Sequence, residues 1–212
     1  MTTVIDAPES VHRTQAQRRA AARERLLEAA LACLIEGGYA GFTTLAVSRR
    51  AGMSQGGLFR HFPTKSDLLA ETLGYLIDQH LHEWEARFLG LAPDQRTPGA
   101  ALQLLSAVTS DERIRAVFDL AAAARTDPQL REQVAPLMSN FMERTHSLAH
   151  DILAELMPVD TQIFNAAIDL ALSTMLGLTL IEVADGDLER RGRVVALLQA
   201  DLAARIARSA GF

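Results

Sequence analysis

The chain has 212 residues, 49% hydrophobic, 22% charged and only 5% aromatic, with a formal net charge of −5. That balance belongs to a soluble globular protein with room for one ordinary domain plus a small module sharing its core. Cys33 is the single cysteine, which excludes an intrachain disulfide and a thiolate metal cluster and suits a reducing cytoplasm.

Residues 1–12 are polar and contain proline without an apolar stretch, so they read as a disordered leader and not a secretory signal. A first helix is predicted over 15–36, with Leu27, Leu31, Leu34 and Ile35 on one face and Gly37-Gly38 ending it. A short helix over 44–51 follows, capped by Thr43. Gly52 breaks it, and Ser54 caps a further helix over 55–62 that Pro63 ends. A long helix then opens at Lys65 or Ser66 and runs to Phe88, with a stripe of Leu69, Leu73, Leu76, Ile77, His80, Trp84 and Phe88. Residues 91–99 (LAPDQRTPG) read as a loop. Helical periods recur at Ile114, Val117, Phe118 and Ala121, and again at Leu137, Phe141, Leu148 and Ile152. They return at Phe164, Ala167, Ile168, Ala171 and Met175, and at Val195, Leu198, Leu202 and Ile206. Pro128, Pro136 and Pro158 mark boundaries or kinks, Asp185-Gly186-Asp187 marks a turn, and no stretch alternates with period two. The expected fold class is all-α.

The most apolar stretch, 163–184, carries Asn165, Asp169 and Glu182. Such groups are costly inside a bilayer, so the stretch reads as a buried interface helix and no membrane partner is expected. Charge is unevenly spread. Between Arg13 and Lys65 there are nine basic residues and three acidic ones, a net of +6, which leaves −11 on the rest of a chain whose total is −5. A basic end on an acidic body is what one-ended binding to phosphates requires.

The segment 44–63, TLAVSRRAGMSQGGLFRHFP, concentrates the information. Two helices packed through a tight turn need apolar residues at fixed points, and Val47, Ala51, Met53 and Leu58 stand there. Their closest approach needs a small residue, which Ser48 supplies, and the turn needs positive φ, which Gly52 supplies. These coincident demands describe a helix-turn-helix.

The stretch 41–69 closely resembles the N-terminal signature of the TetR family of transcriptional regulators. The Thr43-Thr44 pair opens the second helix, Ala51-Gly52-Met53-Ser54 forms the turn, and Leu58-Phe59-Arg60-His61-Phe62 with Lys65 closes the recognition helix. The resemblance covers the first third of the chain; beyond it, only size and helical layout match. It implies a helix-turn-helix DNA-binding domain over 13–75, joined through the long helix to a ligand-binding and dimerisation domain over 76–212.

The resemblance implies that Ser54 and Gln55 face base edges in the major groove, with the Gln55 amide suited to pair bidentately with adenine. Gly56 and Gly57 would allow close backbone approach, and Arg60 would reach a guanine or a phosphate. Thr43, Thr44, His61 and Lys65 match phosphate-contacting positions, although His61 equally suits a structural place between the third and fourth helices. Phe59 stands where the family usually has Tyr; it keeps the packing and loses a hydroxyl contact worth about 1 kcal/mol. Leu45 and Ala46 replace residues that are often polar or basic; Leu45 suits a thymine methyl. Arg13, Arg18 and Arg19 read as a solvated face, with arm contacts to DNA as the alternative.

By the same resemblance, the last two helices (161–184 and 188–207) would pair with a second copy in an intermolecular four-helix bundle. The small residues Ala166, Ala167, Ala171, Ser173 and Gly177 permit close approach. A Met- and Phe-rich set, Phe118, Met138, Phe141, Met142, Phe164 and Met175 together with Leu137, suits either an adaptable pocket or plain core. Asp119 and Asp169 are acids in apolar segments able to orient a cationic or hydroxylated ligand, although Asp119 also suits a solvated face or a pair with Arg115 or Arg125. His80 reads as a hydrogen-bonded core histidine. His146 and His150, with Glu143 and Asp151, lack a third convergent metal ligand, so no metal and no cofactor is expected. No activated nucleophile, phosphate loop or facing carboxylate pair points to an enzyme. The expected function is a cytoplasmic homodimeric regulator, a repressor released from a palindromic DNA operator by a small-molecule effector. The alternative is an all-α carrier or enzyme with an incidental helix-turn-helix.

Overall fold

A computed structural model describes residues 14–157, 159–187 and 189–209. The leader over 1–12, Arg13, the Pro158 boundary, Leu188 and the Ile206 side chain lie outside the described residues. Among these residues there are helices and no strand.

The helix α1 (Gln15–Gly41) starts at a Thr14 cap whose hydroxyl accepts from the Gln17 amide while the Gln17 side chain accepts from the Thr14 amide. It does not stop at Gly37-Gly38; it bends there. Gly38 sits at φ 58°, ψ −169°, and a Cβ at that position would stand 2.9 Å from an Asp119 carboxylate oxygen. The bend thus needs glycine twice over, for its backbone angle and for its lack of a side chain. Next come α2 (Thr44–Arg50) and α3 (Gln55–Phe59). The regular part of α3 ends three residues before the expected Phe62, because Phe62 turns into the core and the residue before Pro63 disfavours helix.

From its Thr64–Asp67 capping box, α4 (Lys65–Leu89) runs 25 residues out of this head and through the rest of the molecule. The expected loop contains one turn of 3-10 helix, Pro93–Gln95, and ends early at α5 (Pro98–Thr109). No helix is predicted at α5 from its pattern, since apolar residues surround it on nearly all sides; packing against α4, α8 and α9 explains why. Beyond it lie α6 (Arg113–Thr126), α7 (Pro128–Leu153), α8 (Thr161–Asp185) and α9 (Glu189–Ser209). Pro128 opens α7 and Pro136 lies inside it, so neither breaks it.

The core falls into three clusters. The first joins Leu26, Leu34, Phe42, Val47, Leu58 and Leu69 of the head to Leu120 of α6 and Val134 of α7. Residue 75, the expected border between domains, therefore falls inside α4 and within one continuous apolar cluster. The second gathers around Phe88, Leu153 and Phe164, and the third around Leu102, Met175 and Val195. Beside the third, Arg191 is only 9% exposed. It pairs with Glu182 (2.8 and 2.9 Å), and donates to the Thr179 hydroxyl at 2.7 Å and to the Ser106 carbonyl and Thr109 hydroxyl at 3.2 Å. A desolvated guanidinium with this many partners fixes the registers of α5, α8 and α9 relative to one another.

Candidate DNA-reading surface and internal cavity

Local capping chemistry shapes the α2–α3 turn. The Thr43 hydroxyl accepts from the Ala46 amide at 3.1 Å, starting α2, and the Ser54 hydroxyl accepts from the Gly57 amide at 3.1 Å, starting α3. Between them Gly52 takes φ 64°, and the Met53 amide donates back to the Ser48 carbonyl at 2.9 Å. Ser48 is buried at the crossing, with Val47 and Leu58 fully enclosed. A Cβ on Gly57 would press on the Ser54 hydroxyl at 3.3 Å, while Gly56 faces open space.

This framework leaves the expected reading residues outward. Thr43, Ser54, Gln55, Gly56, Phe59, Arg60 and Lys65 are exposed, and Thr44, Gly57 and His61 are half-buried. The Gln55 amide nitrogen lies 3.4 Å from the Thr44 hydroxyl, so the residue suited to adenine is steadied from the first turn of α2. The Lys65 ammonium sits 4.9 Å above the Tyr39 ring and 5.7 Å from the Phe42 ring, which places its charge without removing it. Phe59 is 43% exposed, as is Leu45, so both large apolar side chains stand open on this surface.

The basic residues divide into two kinds. Arg50 makes two 2.6 Å bonds to Glu36, and Arg23 pairs with Glu71 at 2.6 Å while lying over the Phe62 ring. Arg18, Arg19, Arg25, Arg49 and Arg60 are exposed. Burial, and then the nearby Arg19, Arg23 and Arg60 charges, hold the His61 imidazole below its ordinary pKa.

Beyond the head, α4, α5, α6, α7, α8 and α9 enclose a cavity of about 380 Å³. Its wall is almost wholly apolar, including Trp84, Leu105, Ile114 and Phe141, and its rim reaches the exposed Ile163, Ala166 and Leu170. Of the seven expected pocket residues only Phe141 lies on this wall. Phe164 and Met175 are buried in the second and third core clusters, and Met138 packs against the first. Phe118 and Met142 are half-buried away from the cavity, and Asp119 is exposed beside Gly38. Helical periodicity marks residues that face inward but cannot separate a packed face from one bordering a void. Asp169 does not reach the cavity wall either; it pairs with His146 at 2.7 Å across α7 and α8.

Residues 26–72 match the model of the bacterial regulatory proteins of the tetR family. An uncharacterised HTH-type transcriptional regulator of Mycobacterium tuberculosis is 33% identical over 150 residues, covering 70% of this chain and 77% of that protein. The chain belongs to the TetR family. Another relative, the HTH-type transcriptional regulator CymR of Pseudomonas putida, is 35% identical over 140 residues, covering 66% of this chain and 67% of its own. A solved TetR-family regulator from Rhodococcus sp. shares the fold at TM-score 0.68 with 18% identity, covering 88% and 99% of the two chains. Members of this family regulate transcription and are not enzymes; they bind DNA operators and small molecules, as dimers. The carrier or enzyme alternative is therefore set aside, and the all-α, helix-turn-helix architecture is confirmed.

Sequence reasoning missed most of the cavity wall. His80 and Trp84 were visible on the α4 stripe, and their polar character on an apolar face was the available signal. Leu105 lies in a helix that pattern alone did not reveal, and Ile114 was indistinguishable from core.

Proposed function

We propose that this TetR-family regulator acts in the cytoplasm as a homodimeric repressor of a palindromic operator, and that a small molecule in the cavity releases it. The observation that carries this reading is the course of α4. The helix begins at Lys65, on the DNA-facing surface, and its last turns supply the cavity wall through His80, Leu81 and Trp84. Occupancy of the cavity and placement of the head therefore share one rigid element, and a ligand acts through its differential affinity for the two placements.

Exposed apolar residues support the dimer. Ile163, Leu170, Leu180, Ile181 and Val183 on α8 and Leu197 on α9 are 46–70% exposed in the single chain. A second copy on the α8 face that Ile163, Leu170 and Ile181 share, with Leu180 at its flank, would cover those residues, would border the cavity rim at Ile163 and Leu170, and would set two α3 helices in successive major grooves. The division of labour then follows 13–75 for reading DNA and 76–212 for effector and partner. Thr43, Thr44, Ser54, Gln55, Gly56, Gly57, Phe59, Arg60, His61 and Lys65 form the DNA contact set.

Selection of bound sequences from a random DNA pool tests the proposal. A palindrome whose binding weakens when a cavity ligand is added is the expected result. Recovery of single half-sites, or of a palindrome whose affinity no cavity ligand alters, would overturn the dimeric or the effector part respectively.

A further inference from the structure

Between Glu36 and Asp67 the chain has no acidic residue, and it carries Arg49, Arg50, Arg60 and Lys65. Arg50 is held by Glu36. Arg49 on α2, Arg60 just after α3 and Lys65 at the start of α4 are exposed. Two large apolar side chains stand open among these cations. Leu45, in the first turn of α2, and Phe59, the last residue of α3, are each 43% exposed, and no other large hydrophobic residue is so open among the described residues of the head.

Helical spacing and one side-chain contact put both beside Gln55. Phe59 follows Gln55 by four residues, so the two share a face of α3. Leu45 adjoins Thr44, whose hydroxyl lies 3.4 Å from the Gln55 amide nitrogen. It shares the outer face of α2 with Arg49, four residues on, while Val47 and Ser48 turn inward. Gly56 takes bulk away from the same surface. Its backbone is not left-handed and a Cβ there would meet nothing within 4 Å, so neither strain nor packing inside the chain calls for glycine. The bare backbone lets a duplex come close enough for the neighbouring side chains to touch base edges.

Such a surface suits an occupant that is anionic and offers isolated apolar groups. Members of this family bind DNA operators, and the apolar group that the major groove presents is the C5-methyl of thymine. We propose that Leu45 and Phe59 read thymine methyl groups in each operator half-site, adding apolar readout to the hydrogen bonds of Gln55, a reading that rests on α2 and α3 being the DNA-contact surface. Deoxyuridine pairs with adenine as thymidine does and lacks only that methyl. A hydrogen bond to the base therefore survives the exchange, and an apolar contact does not.

The test uses the full-length protein and the duplex recovered by selection from a random pool. Each thymine of one half-site is replaced in turn by deoxyuridine, and affinity is measured for the wild type, Leu45→Ala and Phe59→Ala. The wild type is expected to lose about fourfold at one position for each residue, the value of withdrawing one buried methyl. Leu45→Ala is expected to become indifferent to one of these exchanges and Phe59→Ala to the other. Leu45→Met and Phe59→Tyr, which keep apolar bulk, are expected to respond as the wild type does, which separates lost contact from a damaged fold. If the half-site contains no thymine, or no exchange weakens wild-type binding, methyl readout is overturned while DNA reading stands. If every loss persists in one alanine variant, the residue it removes has no such role. If no specific duplex is recovered, the DNA-contact surface itself falls, and methyl readout with it.

Discussion

The DNA-reading head and the α8–α9 region treat apolar residues in opposite ways. In the head, Leu26, Phe42, Val47, Leu58 and Phe62 are at most 2% exposed, and the two large apolar side chains left open, Leu45 and Phe59, stand on its helix-turn-helix surface. Among the described side chains of α8 and α9, six large aliphatic residues remain open, and a cavity lies beside these helices. The head completes its core within one chain, shared only with α6 and α7, and keeps its chemistry on a polar surface. The body leaves apolar area open at two places, the proposed partner face and the proposed effector cavity. A region built to recognise apolar surfaces looks under-packed until its partners are counted.

The largest expected effect separates the two regions by packing. Leu58→Ala in the head should cost about 2–5 kcal/mol, since a fully enclosed side chain leaves a void. Leu105→Ala on the cavity wall should cost roughly 1 kcal/mol, because that side chain already lacks neighbours on one side. Urea unfolding of both variants decides the matter, and equal losses would break the comparison.

A comparable effect is expected at the open face. Leu180→Glu should shift the protein from dimer to monomer in analytical ultracentrifugation and weaken palindrome binding by roughly hundredfold, through loss of two-site attachment. Unchanged sedimentation would place the dimer contact elsewhere.

Smaller effects sharpen the head. Gln55→Ala should cost about 1–3 kcal/mol of discrimination between cognate and altered operators. Lys65→Ala should instead weaken all DNA alike and reduce the slope of log affinity against log salt by about 1. The same loss of specificity from both substitutions would overturn this division of roles.

The smallest effect concerns pH. Burial lowers the pKa of His80, and burial with three arginines lowers that of His61. The unfolded chain therefore takes up protons first once the pH falls below about 6.5, and stability present at neutral pH is lost toward the lower folded values. Denaturation midpoints measured downward from neutral pH should fall, less steeply in His80→Phe. An identical pH dependence in that variant would show that His80 contributes nothing to it.

Much of the head was legible because its determinants are local. Thr43, Gly52, Ser54 and Pro63 act on backbone atoms within three residues of themselves, so their positions alone predicted α2, its turn and the start of α3. The gap was the end of α3, which stops at Phe59 while Phe62 turns into the core. The body was legible only as helices. Met138, Phe164 and Met175 are inward-facing, yet they belong to the packed cores, and the period of a helix says nothing of what stands opposite.

By itself, the sequence determined the all-α class, the helix-turn-helix and its outward residues, and the family, since each depends on short-range capping, turn chemistry and spacing. Only the tertiary structure decided that Gly38 bends α1 against Asp119, that Arg191 ties three helices, and that a cavity opens between α4 and the last helices. Those features depend on which helices meet, and that is set by packing between residues tens of positions apart.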